Sequence, residues 1–97
     1  MRISVRFFTT LREITGKREE TLEFENYRKV ALKTILEELA KRYGKDFVSY
    51  VYDGKTGEVK GFLQFLINGK SSSPTNGLDI ELANGDILAI IPPIAGG

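Results

Sequence analysis

The strongest indication of the fold comes from Ile87-Leu88-Ala89-Ile90-Ile91-Pro92-Pro93. Its apolar run follows the turn dipeptide Asn84-Gly85, which predicts a buried strand. The prolines end that strand because proline cannot donate a hydrogen bond to the ladder. Residues 2–8 alternate between apolar and polar, which predicts a second strand. Because these first and last strands are the most apolar, we expect them side by side at the centre of a sheet.

Residues 30–43 change to helical spacing, with one apolar stripe and Gly44 where a helix commonly ends. The stripe consists of Leu32, Ile35, Leu36, Leu39 and Tyr43. Shorter strands are predicted at 21–24 and 63–67, a small hairpin at 58–62 and a polar loop at 71–77. One main helix on one face of a mixed sheet of four to five strands predicts a two-layer α+β fold. The length predicts one domain over residues 1–97.

Composition excludes several classes of protein. The chain is 41% hydrophobic and 28% charged, which is ordinary for a globular domain. The net charge of +1 provides no field for a phosphate backbone, so we expect no nucleic-acid partner. No apolar run approaches the ~18 residues of a membrane-spanning helix, and the first residues lack the apolar block of a signal peptide. We therefore expect a cytoplasmic protein with no membrane partner.

The chain contains no cysteine and no histidine. The thiolate nucleophile, the commonest general base and the commonest metal ligands are therefore missing, and no metal site is predicted. The segment Gly54-Lys55-Thr56 resembles the end of a phosphate-binding loop, but Ser49 stands where that motif needs a glycine, so we interpret it as a turn. If the chain takes part in chemistry, we expect a role other than that of a conventional enzyme.

The outer face of the predicted sheet is apolar. If the helix covers the inward residues, alternation along the strands sends another set outward: Phe8, Phe62, Leu66, Ile87, Ala89 and Ile91. An exposed apolar surface of this kind indicates a partner-binding site. Two alternatives are that residues 46–62 fold over it or that it forms a homodimer contact.

The chain ends on Ile94-Ala95-Gly96-Gly97 directly after the prolines, which predicts an extended tail over residues 92–97. Two glycines add no side-chain bulk, so the tail could enter a narrow channel. Its chemical handle is the α-carboxylate of Gly97. A carboxylate resists nucleophiles, but adenylation by ATP would supply a leaving group, and attack by sulfur would give a thiocarboxylate. Such a chain would be a carrier that binds no cofactor, while partner enzymes use the ATP and supply the catalytic groups.

Four stretches are similar to the MoaD/ThiS sulfur-carrier family, which includes the small subunit of molybdopterin synthase. They are residues 5–16, residues 36–39 with 42–44, residues 66–70, and residues 84–97, of which the last is the most specific. The resemblance implies a ubiquitin-like β-grasp fold. It also implies that an activating enzyme adenylates Gly97, which is then thiocarboxylated.

The same resemblance implies site residues. In molybdopterin synthase the tail enters the active site of the large subunit, which assigns Pro92, Pro93, Ile94, Ala95 and Gly96 to partner contact beside the reactive Gly97. Phe8 and Ile91 match exposed hydrophobic contact residues of the family, and Leu66 shares their face. Arg12 matches a commonly basic position that could help docking, although a simple surface arginine is an equal alternative.

The resemblance implies a non-catalytic sulfur carrier that delivers sulfur to a cyclic pterin precursor in molybdenum or tungsten cofactor synthesis. Relatives also serve thiazole synthesis, tRNA thiolation and protein modification, so a ubiquitin-like modifier conjugated through Gly97 is an alternative. A third reading is a binding module with an incidental tail. Residues 45–62 and 71–77 are longer than in the shortest family members, which leaves the partner open.

Overall fold

The computed structural model describes residues 1–26, 28–72 and 77–93. In chain order the elements are β1 (Arg2–Phe7), α1 (Thr10–Thr15), β2 (Glu19–Glu23), β3 (Val30–Ala31), α2 (Leu32–Tyr43), α3 (Lys45–Val51), β4 (Gln64–Ile67), β5 (Lys70–Ser72), β6 (Glu81–Leu82) and β7 (Ile87–Ile91). The strands form a five-stranded sheet in the order β2-β1-β7-β4-β5 and a small β3-β6 pair.

The first and last strands lie side by side at the centre of the sheet, as predicted. β1 and β7 run parallel, with Val5 opposite Leu88 and Phe7 opposite Ile90, while the other neighbours are antiparallel. The sheet is therefore mixed. All four of these side chains are fully buried, which explains why this pair occupies the middle.

The main helix α2 packs its predicted stripe against the inner face of the sheet. Leu32, Ile35, Leu36 and Leu39 are fully buried in one core cluster with the inward residues of β1 and β7. The helix ends at Gly44, whose φ of +71° suits glycine and whose amide donates to the Ala40 carbonyl. It begins two residues later than predicted because 30–31 pair with β6.

The segment between α2 and β4 adds to the helical layer. α3 buries Phe47 and Val51 and contacts both α1 and α2, so this segment does not cover the outer face. The predicted hairpin at 58–62 is reduced to one bridge between Tyr52 and Val59. The prediction of a loop at 71–77 is wrong for residues 71 and 72, because they belong to β5 (Lys70–Ser72), which pairs with β4. Residues 73–76 of the predicted loop lie outside the described residues.

Candidate functional site: an apolar face beside the tail exit

The exit of the tail is fixed by the central strand pair. Because β1 and β7 are parallel and Phe7 lies opposite Ile90, both strands end at the same edge of the sheet. Pro92 is buried and Pro93 is exposed, so only the second proline offers side-chain surface to a partner. The predicted contacts of Pro92 and Pro93 with a partner stay predictions. The predicted residues Ile94, Ala95, Gly96 and Gly97 lie outside the described ranges, and their roles stay predictions.

An apolar surface lies next to this exit, which we call the outer patch. It consists of Phe8, Leu66, Ile87, Ala89 and Ile91, all partly exposed. Leu66 pairs with Ala89 across the β4–β7 ladder, so the two side chains share a face. Three of the five members come from β7, the strand that leads into the tail. The predicted outward placement of Phe8, Leu66 and Ile91 agrees with the structure.

Charged pairs border the outer patch on the β2 side. Arg2 Nε lies 2.9 Å from Glu23 Oε1, and Arg6 Nε lies 3.7 Å from Glu19 Oε1. All four side chains are exposed, so these pairs contribute little to stability. On the other side Ser71 lies opposite Leu66. An apolar centre with a polar rim is the usual arrangement of a protein-binding surface.

Arg12 is held at the corner of this surface. Its Nε donates to the Phe7 carbonyl at 2.9 Å, and its Cζ lies 5.3 Å from the centroid of the Phe8 ring. The chain turns sharply before α1, where Thr9 adopts a φ of +48°, an uncommon value for a β-branched residue. Arg12 therefore contacts Phe8 directly, and its predicted role in docking stays a prediction.

Phe62 is exposed, as the alternation predicted, but it is not a member of the outer patch. It precedes β4, and its ring lies 6.0 Å from that of Tyr50 in α3. Lys60 Nζ lies 5.7 Å from the same ring. The turn before β4 breaks the alternation that the prediction had extended to this residue.

A buried carboxylate braces the same end of the domain and was missed by the sequence analysis. Glu20 of β2 is 9% exposed and accepts hydrogen bonds from Lys17 Nζ and from the Tyr43 hydroxyl, each at 2.7 Å. Arg42 Nη1 lies 3.6 Å away. The Tyr43 ring packs edge-on against Phe7 at 6.1 Å. The network thus ties β2 and the end of α2 to the last residue of β1.

Burial and hydrogen bonding shift the pKa of the Glu20 carboxylate in opposite directions. Burial alone would raise the pKa of Glu20, but the hydrogen bonds from Lys17 and Tyr43, with the charges of Lys17 and Arg42, hold its pKa below the ordinary value. Burial and the hydrogen bond to Glu20 raise the pKa of Tyr43, so the hydroxyl stays protonated as a donor. The sequence offered one indication of this buried carboxylate, because Glu20 shares the inward side of β2 with Leu22.

The turn at residues 53–57 does not form a phosphate-binding loop. Asp53 Oδ1 accepts the backbone amides of Lys55 at 2.8 Å and Thr56 at 3.0 Å, so those donors are already used. Within residues 1–26, 28–72 and 77–93, no group of three metal-ligating side chains is placed to hold an ion. No helix in this part of the protein has the length and apolar character needed to cross a membrane.

Comparison with known proteins identifies the class of protein that this fold and surface define. Residues 5–97 match the ThiS family, so the chain belongs to that family of ubiquitin-like β-grasp sulfur carriers and modifiers. The predicted β-grasp fold is thereby confirmed.

Individual relatives are similar along all or most of the chain. Small archaeal modifier protein 3 of Haloferax volcanii is 30% identical over 97 residues, which is all of both chains. A putative sulfur carrier protein of Archaeoglobus fulgidus is 29% identical over 69 residues, covering 71% of this chain and 76% of that protein. The crystal structure of SAMP1 from Haloferax volcanii superposes with a TM-score of 0.85 at 26% identity, covering both chains completely.

Proposed function

We propose that this protein carries sulfur as a thiocarboxylate on Gly97. The observation that supports this proposal is the central strand β7, which supplies three residues of the outer patch and then leads directly into the Ile94-Ala95-Gly96-Gly97 ending. A partner enzyme that binds the outer patch would therefore meet the start of the tail next to its docking site. Family membership supports the same role.

The proposed chemistry is divided between the chain and its partners. An activating enzyme transfers AMP from ATP to the Gly97 carboxylate and releases pyrophosphate. Hydrosulfide then attacks the acyl carbon, AMP leaves, and a thiocarboxylate forms. The chain contributes the reacting atoms and the docking surface, and because it contains neither histidine nor cysteine, the partners supply the proton-transfer and thiol groups.

Intact-mass measurement tests the proposal. The full chain is incubated with ATP, sulfide and a ThiS-family activating enzyme, and we expect a mass increase equal to the exchange of one oxygen for one sulfur. A matched chain that lacks Gly97 should show no increase and an unchanged thermal unfolding midpoint. A full chain that stays unmodified while it binds the enzyme would contradict the proposal and favour a binding module with an incidental tail.

For the sulfur acceptor we propose the pterin precursor of molybdopterin, with the large subunit of molybdopterin synthase as the partner. The similarity of residues 84–97 to the ending of the small subunit supports this choice. The sulfur of one thiocarboxylate would attack a carbon of the precursor and displace the oxygen substituent of that carbon. Water would then cleave the resulting thioester, which restores the Gly97 carboxylate and leaves the sulfur on the pterin. A second thiocarboxylated chain would supply the second sulfur of the dithiolene in the same way. Thiocarboxylated chain mixed with the large subunit and precursor should yield the dithiolene, and no product under these conditions would contradict this assignment.

A second candidate is a protein modifier, and the full-length similarity to small archaeal modifier proteins favours it. In that role a lysine amine attacks the activated Gly97 carbonyl and AMP leaves, which forms an isopeptide bond. Digested cell extract should then contain lysine residues branched with the carboxyl-terminal glycine. Both roles share the activation of Gly97, so this measurement separates the acceptors without testing the activation step.

A further inference from the structure

A groove runs through the helical layer, between α2 and the segment that connects α3 to β4. It consists of two adjoining cavities of about 380 and 540 Å³, and both are lined by Glu37, Tyr52 and Gly57. None of the five residues of the outer patch lines either cavity. The groove is therefore a separate surface from the docking face proposed above.

The wall of the groove opposite α2 is a braced turn. Tyr52 pairs with Val59 in an isolated bridge, and the Asp53 amide donates to the Glu58 carbonyl at 2.7 Å. Asp53 also accepts two backbone amides within the turn, as described above. These bonds hold the half-buried Tyr52 ring at the junction of the two cavities. Because this wall is already ordered, binding of a ligand costs less conformational entropy.

The lining of the groove carries three carboxylates, those of Glu37, Asp53 and Glu58, and one amine. Glu37 and Glu58 are exposed, and neither forms a salt bridge with another residue in the parts of the chain that the structure describes. The one basic residue of the lining, Lys33, holds its Nζ 2.8 Å from Asp79. The pKa of Lys33 is raised chiefly by Asp79 and less by Glu37, so this lysine offsets only part of the acidic charge of the groove. Leu36, Val59 and Leu78 supply apolar surface beside these carboxylates.

We propose that this groove binds an arginine-bearing, extended basic segment of a partner protein. A guanidinium can donate hydrogen bonds to the carboxylates of Glu37 and Glu58 while its plane stacks on the Tyr52 ring. The aliphatic part of the same side chain would lie against Leu36 and Val59. Charge complementarity selects the basic partner, and the two cavities in line along α2 suit an extended chain better than a compact ligand.

The neutral state of Tyr52 is consistent with this ligand. Burial, together with the nearby charge of Glu37, raises the pKa of the Tyr52 hydroxyl. The ring therefore stays uncharged at neutral pH and its hydroxyl stays a donor. This binding does not use Gly97, so the inference goes beyond the proposed function and does not depend on it.

The test uses the full chain labelled with ¹⁵N and a blocked peptide of alternating leucine and arginine. The amide spectrum should shift around Leu36, Tyr52 and Gly57 as the peptide is added. A control peptide with citrulline, the neutral analogue of arginine, should bind at least about tenfold more weakly. The double variant Glu37→Gln with Glu58→Gln should weaken arginine-peptide binding about tenfold, while the matched surface variant Glu25→Gln should leave it unchanged.

Specific outcomes would overturn the proposal. One is equal affinity for the arginine and citrulline peptides, and another is unchanged binding by the double variant. Shifts centred on Ile87–Ile91 would place the peptide on the outer patch. Binding of free arginine or spermidine as tight as that of the peptide would indicate a small-molecule site. A chain lacking Gly97 should bind the peptide normally, which separates this result from failure of the sulfur-carrier proposal.

Discussion

Phe7 and Ile90 lie opposite each other across the parallel ladder of β1 and β7, so both strands end at one edge of the sheet. Both side chains are fully buried. Phe8 and Ile91, the next residues along each strand, belong to the outer patch at that edge. The core thus sets the position of the docking surface and of the tail exit together.

Leu66→Glu should block docking without unfolding the domain. The side chain is a partly exposed member of the outer patch, so a charge there would face any apolar partner surface and lose its solvation on binding. We expect the rate of Gly97 thiocarboxylation to fall at least about tenfold, a barrier increase near 1.4 kcal/mol, measured by intact mass. Ile80→Glu is the matched control, because Ile80 is 42% exposed and lies outside the patch. Equal rates for the two variants would refute the docking role of the patch.

Phe7→Ala should destabilise the domain by about 3–5 kcal/mol, because it leaves a cavity at a fully buried site and removes the contact with Tyr43. Equilibrium unfolding in urea measures this loss. The exposed Phe62→Ala, whose main aromatic neighbour is Tyr50, should cost less than about 1.5 kcal/mol. A loss at Phe62 as large as that at Phe7 would mean that the core is not where the structure places it.

Glu20→Gln should cost about 2 kcal/mol at neutral pH because it removes charge-assisted hydrogen bonds from a buried position. Since the folded pKa of Glu20 lies below its ordinary value, this stability is present above that value and is lost as the pH falls through the folded pKa. The difference between wild type and variant should therefore shrink below a pH of about 4.5, the ordinary value.

The matched control for this prediction is Glu23→Gln on the same strand. Glu23 pairs with Arg2 in an exposed position, so its loss should cost less than about 1 kcal/mol. Urea unfolding of the three proteins from neutral to acidic pH makes the comparison. A difference at Glu20 that stays constant as the pH falls would show that its charge does not stabilise the fold.

Gly16→Ala should cost about 1 kcal/mol through the backbone alone. Gly16 ends α1 with a φ of +72°, a conformation that an L side chain resists, and no atom lies within 4 Å of an added Cβ. Gly54→Ala is the matched control, since its site is equally open but its φ is not positive. We expect Gly54→Ala to leave the thermal unfolding midpoint unchanged or to raise it. A larger loss at Gly54 than at Gly16 would contradict the turn geometry.

Local sequence patterns predicted the helices and strands that bury one side of their own surface. The apolar stripe of α2 and the alternation of β1 and β7 each place side chains on one side at a fixed period, so the sequence shows which side is buried. The outward placement of Phe8, Leu66 and Ile91 followed from the same alternation. The failure at Phe62 has the same physical origin, because the alternation ends where the turn before β4 begins.

Contacts between distant segments were not predicted. Residues 45–51 form a helix because Phe47 and Val51 are buried in the contact with α1 and α2. No local pattern in the sequence had indicated that contact. The burial of Glu20 depends on donors that α2 and the turn before β2 supply. The groove at Tyr52 exists only because the turn after α3 folds back beside α2.

From the amino-acid order alone one can derive the two-layer class, the central strand pair, the outward apolar residues and the absence of histidine and cysteine, because period and composition are properties of the chain. The three-dimensional arrangement is needed to see that Pro92 is buried, that Glu20 is paired inside the domain and that Glu37 and Glu58 line one groove. These features depend on which distant segments meet, and the free energy of such contacts comes from packing and solvation in three dimensions.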